Sequence, residues 1–181
     1  MSDLVLFWHR NDLRVSDSVG LGRAVDRSAR VMGVFCFDPA ILKRDDIAPA
    51  RIAYLLGCLE SLSRDYLASG SKLLIIYQDP AVGIPLLASA LNAQAVYWHH
   101  DVELYSQTRD ERVSAALQIA GVEICTAWDK LLHEPDSIRT VPIDPTQYIL
   151  PFGATGIVES NQPQSMLNFD RSPSLPSNSK P

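Results

Sequence analysis

Five short apolar stretches, rich in β-branched and aromatic residues, alternate along the chain with longer segments of mixed polarity. The stretches occupy residues 4–8, 30–37, 72–77, 95–98 and 122–128. Such continuous runs are typical of strands whose two faces are both buried, as in the middle of a parallel sheet. The pattern therefore predicts five buried strands.

The segments between these strands have helical periodicity. The clearest lies between Pro49, which suits a first helical turn, and Gly70, which ends a helix. Its apolar residues recur at steps of three and four and form one stripe: Ile52, Leu55, Leu56, Leu59, Leu62 and Tyr66. Further helices are predicted after the capping residues 16–18 and over residues 81–91 and 106–120. Alternation of strands and helices predicts an α/β fold, a Rossmann-like five-stranded parallel sheet with helices on both faces.

The composition changes after Thr140. More than half of the twelve prolines lie beyond it, among Ser, Asn and Gln residues. A segment without apolar periodicity cannot bury enough surface to offset the entropy lost on ordering. We predict an α/β domain over residues 1–139 and a disordered C-terminal tail over residues 140–181.

Charge and hydropathy narrow the class of protein. The formal net charge is −5, so direct nucleic-acid binding, which usually needs a basic face, is not expected. No apolar run is long enough to span a bilayer, and the first residues do not resemble a signal peptide. The three cysteines form no C-x-x-C pair, as expected for small buried residues in a reducing compartment. These features predict a cytoplasmic globular protein without a membrane partner.

Polar side chains follow the first strand abruptly. His9, Arg10, Asn11, Asp12 and Arg14 stand where an open α/β sheet binds ligands, beyond the carboxyl end of a strand. The loop contains no glycine, which argues against a dinucleotide site because a phosphate cradle needs backbone N–H groups close to the anion. In the alternative interpretation, Arg10, Asp12 and Arg14 pair with one another and tie the strand to the loop.

A second cluster follows the second strand. Phe35 and Phe37 are two residues apart in an extended chain, so their rings point to the same face, next to Asp38. Two rings on one face can cover a flat ligand, and the alternative is that both belong to the core.

A third cluster closes the fourth strand. Asp101 and Glu103 are also two residues apart, so both carboxylates can accept hydrogen bonds from one ligand unless they belong to a solvated loop. Metal binding by His99, His100 and Asp101 is disfavoured because adjacent strand residues point in opposite directions.

The polar stretch after the first strand resembles the opening of the DNA photolyase/cryptochrome family, which reads W-x-R-x-D-L-R-x-x-D-x-x-x-L. The matching residues here are Trp8, Arg10, Asp12, Leu13, Arg14, Asp17 and Leu21. Residues 95–105, A-V-Y-W-H-H-D-V-E-L-Y, are similar to the family's A-V-Y-W-x-x-D-x-E-x-Y run. The resemblance extends to about Ile138 and implies that the strands lie in the order 3-2-1-4-5.

The resemblance also implies a ligand. The second and third clusters look like those of cyanobacterial-type photolyases that bind a deazaflavin antenna chromophore, in which an arginine at the position of Arg51 suits an anionic ring oxygen. The implied binding residues are His9, Arg10, Phe35, Phe37, Asp38, Arg51, Asp101 and Glu103. The aspartate–glutamate pair favours 8-hydroxy-5-deazaflavin, with folate or FMN as alternatives, because the folate-binding branch typically has an asparagine–glutamate pattern there.

In that family the catalytic FAD and the DNA-binding groove belong to a second, helical domain, so no FAD site and no catalytic residue are expected in this chain. The resemblance therefore implies an isolated antenna-binding module, without DNA repair activity of its own, that acts with its chromophore or with a flavin-bearing partner protein. Two alternatives stay open: a nucleotide-binding α/β enzyme of a related fold, and a ligand-free remnant of a photolyase.

Overall fold

The computed structural model describes residues 3–129 and 131, together with the backbone of residues 147–148 and 158–159. Five of its strands are β1 (Leu4–His9), β2 (Arg30–Phe37), β3 (Leu73–Tyr77), β4 (Ala95–His99) and β5 (Glu123–Ala127). They form one sheet in the order β3-β2-β1-β4-β5, and every neighbouring pair is parallel. The predicted fold class and strand order are thus confirmed.

The helices connect successive strands. They are α1 (Val19–Arg27), α2 (Pro39–Leu42), α3 (Pro49–Ala68), α4 (Pro80–Ala90) and α5 (Leu104–Ile119). The predicted cap of α1 is present, because the Ser18 hydroxyl accepts the Leu21 N–H. The single turn α2 was not predicted, since four residues are too few for a periodic pattern. It forms because the Asp38 carboxylate accepts the Ala40 N–H at 2.8 Å.

The two faces of the sheet have separate cores. Helices α4 and α5 cover one face, where Trp8 and Trp98 pack edge to face beneath Val113 and Leu117. Helix α1 packs on the other face against Phe7. All six residues of β1 are buried, as expected for the central strand of a sheet covered on both sides.

Helix α3 approaches the sheet most closely at its C-terminal half. Of the predicted stripe, Leu59, Leu62 and Tyr66 are buried, whereas Leu56, at the margin of the stripe, is 52% exposed. Tyr66 reaches β2 because position 33 is a glycine: a Cβ at Gly33 would lie 2.6 Å from the Tyr66 ring. The missing side chain therefore makes room for the tyrosine beside the central strand.

The C-terminal part of the chain forms a separate unit. The chain divides into residues 1–134 and residues 135–181. In the second unit, the short strands β6 (Gln147–Tyr148) and β7 (Val158–Glu159) pair antiparallel. The predicted disorder of the rest of this tail lies outside the described residues. Within the described part of the chain, no helix is long and apolar enough to cross a membrane.

Candidate functional site

The loops after β1, β2 and β4 meet at one edge of the sheet, because these three parallel strands are neighbours. The chain connections reverse direction between β1 and β4, where α/β folds commonly bind ligands. The cavity at that point is narrow, with a volume of about 10 Å³. A larger hollow of about 70 Å³ lies beside it, at the carboxyl ends of β1 and β2. Of these two spaces, the larger one therefore lies away from the reversal point, toward β2.

Four of the predicted site residues line this hollow: His9, Arg10, Phe35 and Asp38. Phe35 is buried, and its ring contacts that of half-buried Phe37 edge to face, with the ring centres 5.0 Å apart. Phe35 therefore belongs to the core as much as to the hollow, and Phe37 is the more accessible of the two rings.

Asp38 is buried at the end of β2 and has two hydrogen-bond donors. One oxygen accepts the Ala40 N–H, and the other accepts the Tyr105 hydroxyl at 2.5 Å. Burial, followed by the hydrogen bond to the Asp38 carboxylate, raises the pKa of Tyr105 to about 12. Tyr105 thus stays protonated at neutral pH and donates to Asp38. It belongs to the A-V-Y-W-x-x-D-x-E-x-Y run, but its contact with Asp38 was not predicted from the sequence.

Arg10 is held by a carboxylate that the sequence did not reveal. Its guanidinium contacts both oxygens of Asp110 on α5, at 2.5 and 2.7 Å, and also donates to the His99 carbonyl. Arg109 donates to the same carboxylate at 3.2 Å, and both guanidinium groups lie over the Trp8 ring, 5.3 and 5.1 Å from its centre. Burial lowers the pKa of Arg10, and the Asp110 charge opposes that shift.

The alternative in which Arg10, Asp12 and Arg14 pair with one another is correct only in part. Arg14 does pair with Asp12, at 3.1 Å, but Arg10 pairs with Asp110 instead. The signal that could have revealed the buried side of α5 is the helical spacing of Arg109 with Val113, four residues apart.

His9 is fully engaged inside the protein. Its Nδ1 donates to the Asp12 carbonyl at 2.9 Å, and its Nε2 accepts the Tyr66 hydroxyl at 2.8 Å. Since a carbonyl can only accept, the hydrogen on Nδ1 identifies the neutral tautomer. Burial lowers the pKa of His9 to about 4, so the ring is uncharged at neutral pH.

His99 links three parts of the fold. Its Nε2 accepts the Gly20 N–H at 3.0 Å, and its Nδ1 lies 3.4 Å from Asp12 and 3.8 Å from Asp129. One ligand atom from each of these three side chains lies within 4.8 Å of the others, a spacing that could suit a metal ion. Arg14 already contacts both carboxylates, at 3.1 and 2.8 Å, and balances one of their two negative charges. The cluster is therefore best explained as an ion-pair network that ties the β1 loop to α1 and β5.

Asp101 lies at the start of the loop before α5. Its carboxylate accepts the Asn11 amide at 3.0 Å and the Ser106 hydroxyl at 3.4 Å. Asn11 follows β1 directly, so this contact brings the third predicted cluster beside the first.

Arg51 and Glu103 are exposed at the starts of α3 and α5. The ion pair between Arg44 and Asp46, at 2.6 Å, lies in the loop before α3. Asp46 raises the pKa of Arg44, and Glu103 makes a smaller contribution in the same direction. Arg51 likewise adds a small lowering to the pKa of Asp46, which Arg44 chiefly lowers. Arg51 and Glu103 thus lie near the same charged loop, and their contact with a ligand remains a prediction.

Known proteins resemble this chain over most of its length. The sequence model described as DNA photolyase matches residues 5–164. A deoxyribodipyrimidine photo-lyase from Synechococcus sp. is 49% identical over 152 residues, which cover 84% of this chain and 31% of the relative. A deoxyribodipyrimidine photo-lyase from Halobacterium salinarum is 39% identical, over 77% of this chain and 31% of the relative. The chain therefore spans about a third of the length of these relatives.

Solved structures show the same architecture. A cryptochrome from Synechocystis sp. superposes with a TM-score of 0.65 and 29% identity, over 68% of this chain and 27% of that one. An archaeal photolyase from Sulfolobus tokodaii superposes with a TM-score of 0.70 over 76% of this chain and 32% of that one, at 23% identity. The second likeness concerns the fold alone.

Proposed function

Since the chain belongs to the DNA photolyase family, we propose that its α/β domain binds a light-harvesting antenna chromophore at the carboxyl edge of the sheet. The observation that carries this proposal is the hollow at the ends of β1 and β2, lined by Phe35, Asp38 and Arg10. The hollow combines the Phe35 ring, the Asp38 carboxylate as a hydrogen-bond acceptor, and buried guanidinium groups. Planar ligands are generally held by such a combination of apolar walls and a few polar groups.

The size of the hollow limits how a chromophore can lie. Sites for drug-sized ligands usually enclose roughly 300–1,000 Å³, and the hollow of about 70 Å³ admits only the edge of a tricyclic ring. The remainder would extend over the rim toward the exposed residues Arg51 and Glu103. There an arginine can pair with an anionic ring oxygen, and carboxylates can accept ring N–H and hydroxyl groups. These donors and acceptors favour 8-hydroxy-5-deazaflavin over folate or FMN.

Replacement of Arg51 by alanine should weaken deazaflavin binding by about 10-fold. A charge-assisted hydrogen bond contributes roughly 1.5–3 kcal/mol, and about 1.4 kcal/mol corresponds to a factor of ten in affinity. We expect the lower end of this energy range because Arg51 is exposed to solvent, which screens its charge. Fluorescence titration with 8-hydroxy-5-deazaflavin measures the effect. The matched control is Arg64→Ala, an exposed arginine of the same helix, which should leave the affinity unchanged.

Equal affinity of the wild type and Arg51→Ala would remove Arg51 from the site. Parallel titrations with folate and FMN decide among the chromophores, and a thermal-shift scan with ATP tests the nucleotide-binding alternative. If the wild-type chain binds none of these molecules, the remnant interpretation is favoured.

We further propose that the 181-residue chain does not repair DNA by itself and that a bound antenna would serve a flavin held by a partner protein. Light-driven repair needs an excited flavin and a pocket for a flipped-out lesion. The chain covers about a third of its photolyase relatives. Incubation with free FAD, a reductant, dimer-containing DNA and blue light should give no more repair than a protein-free control. Light-dependent repair above that control would contradict the proposal.

A further inference from the structure

The start of α5 is connected to the end of β2 by one hydrogen bond, from the Tyr105 hydroxyl to Asp38. Tyr105 is 45% exposed, yet its hydroxyl reaches a carboxylate that is only 7% exposed. The two residues are 67 positions apart in the chain. The contact therefore joins two elements that both border the hollow.

Tyr105 is itself held in place from the next turn of its helix. The Arg109 guanidinium lies 5.9 Å from the centre of the Tyr105 ring and 5.1 Å from that of Trp8. Asp110 fixes this guanidinium in turn. The buried cations beneath the hollow and the tyrosine at its rim thus form one connected arrangement.

The Asp38 carboxylate keeps capacity for a further partner. An ionised carboxylate offers about four lone-pair positions on its two oxygens. The Ala40 N–H takes one position on one oxygen, and the Tyr105 hydroxyl takes one on the other. These two donors fix the orientation of the carboxylate, so that its remaining lone pairs have set directions at the wall of the hollow.

We propose that Tyr105 is a positioning residue of the antenna site, which orients the Asp38 carboxylate to accept a hydrogen bond from the chromophore. This inference rests on the proposed function and adds a residue to it. The hydroxyl acts through Asp38, because its hydrogen bond is made to that carboxylate. Removal of the hydroxyl alone should therefore weaken binding only while Asp38 is present.

The test is a double-mutant cycle with 8-hydroxy-5-deazaflavin, measured by fluorescence titration. Tyr105→Phe should lower the affinity by roughly 10-fold, because the chromophore would lose its hydrogen bond to a charged carboxylate that is no longer held in position. In the Asp38→Ala background, where position 38 has no side-chain acceptor for the hydroxyl, the same replacement should have little further effect. The control is Tyr97→Phe, a buried tyrosine whose hydroxyl interacts with Arg27 and Cys125 and which should not change the affinity.

A second measurement needs no ligand. In protein labelled with ¹³C at tyrosine Cζ, the resonance that Tyr105→Phe removes should shift in Asp38→Asn at neutral pH, because the hydroxyl loses its charged acceptor. A Tyr105 resonance that does not respond to Asp38→Asn would overturn the proposal. Chromophore binding by the wild type with equal affinity in Tyr105→Phe would overturn the positioning role while leaving the antenna function intact.

Failure of the antenna function has a different signature. If the wild type binds no chromophore while the Tyr105 resonance responds to Asp38→Asn, the hydrogen bond is purely structural. That result would contradict the antenna function. It would also contradict the role of Tyr105 toward a ligand, which depends on that function.

Discussion

Replacement of Asp110 by alanine is expected to lower the free energy of unfolding by about 3–5 kcal/mol, the usual cost of removing one partner from a buried ion pair. The Asp110 side chain is only 14% exposed, and those of Arg10 and Arg109 are 9% and 10% exposed. Without Asp110, two guanidinium groups would stay close together over Trp8 with no carboxylate between them. Their mutual repulsion and the loss of their shared acceptor both act against the folded state.

Urea denaturation, followed by far-UV circular dichroism, measures this loss. Domains are typically stable by about 5–15 kcal/mol, so a change of this size should move the unfolding midpoint far outside experimental error. The matched control is Asp46→Ala, which breaks the ion pair with Arg44 in which both side chains are more than half exposed. Exposed pairs usually contribute less than about 1 kcal/mol.

A loss of less than about 1 kcal/mol in Asp110→Ala, the range of an exposed pair, would contradict the structural role that we assign to this carboxylate. A loss of the expected size has a consequence for the site, because Arg10 follows the central strand and Asp110 belongs to α5. The hollow should then lose its shape, and chromophore affinity should fall although Asp110 does not line the hollow.

The fold could be predicted because each strand and helix has a local pattern of apolar residues and of residues that begin or end helices. Strand β2 and helix α3 begin and end at the predicted residues, since an uninterrupted apolar run defines the strand and Pro49 and Gly70 bound the helix. Helix α5 begins at Leu104, two residues before the predicted start. Its first buried residue is Ser106, so no buried apolar residue marks the two earlier positions. Helix ends are set by local backbone hydrogen bonds, which leave a weaker trace in the sequence than a buried stripe.

The candidate site could be predicted only in part. Strand order brings the ends of β1, β2 and β4 together, and the hollow lined by Arg10 and Asp38 lies at that edge. Successive strand residues point to opposite faces, however, so His9 lies toward Tyr66 of α3, whereas Arg10 lies toward Asp110 of α5. A run of polar residues therefore divides between two sides of the sheet. The partner of Arg10 is a hundred residues away, and no local pattern identifies it.

The stability of the folded protein should decline as the pH falls from about 6.5 to about 4. His9 has a pKa of about 4 in the folded protein because burial disfavours its charged form, and this effect outweighs the opposing effect of the hydrogen bond to the Asp12 carbonyl. In the unfolded chain its pKa is about 6.5. The unfolded state therefore binds the proton first, and the stability that neutral His9 provides is complete above about pH 6.5. At pH 5 the loss should be about 2 kcal/mol, and near pH 4 about 3 kcal/mol.

Two carboxylates with lowered pKa values, Asp46 and Glu123, contribute little to a loss between pH 7 and pH 5. Arg44 lowers the pKa of Asp46 and Arg27 lowers that of Glu123, so the stability linked to these groups is lost at lower pH, around and below their ordinary values. Urea denaturation of the wild type and of His9→Gln at pH 7 and pH 5 separates the contributions. The variant should be less stable at pH 7, because it loses contacts with Tyr66, but should lose much less between the two pH values. His100→Gln, which removes a half-buried imidazole that lies tilted against Trp128, is the matched control for the replacement itself. An equal slope in His9→Gln and in the wild type would show that another group titrates, because a glutamine side chain has no proton to gain in this range.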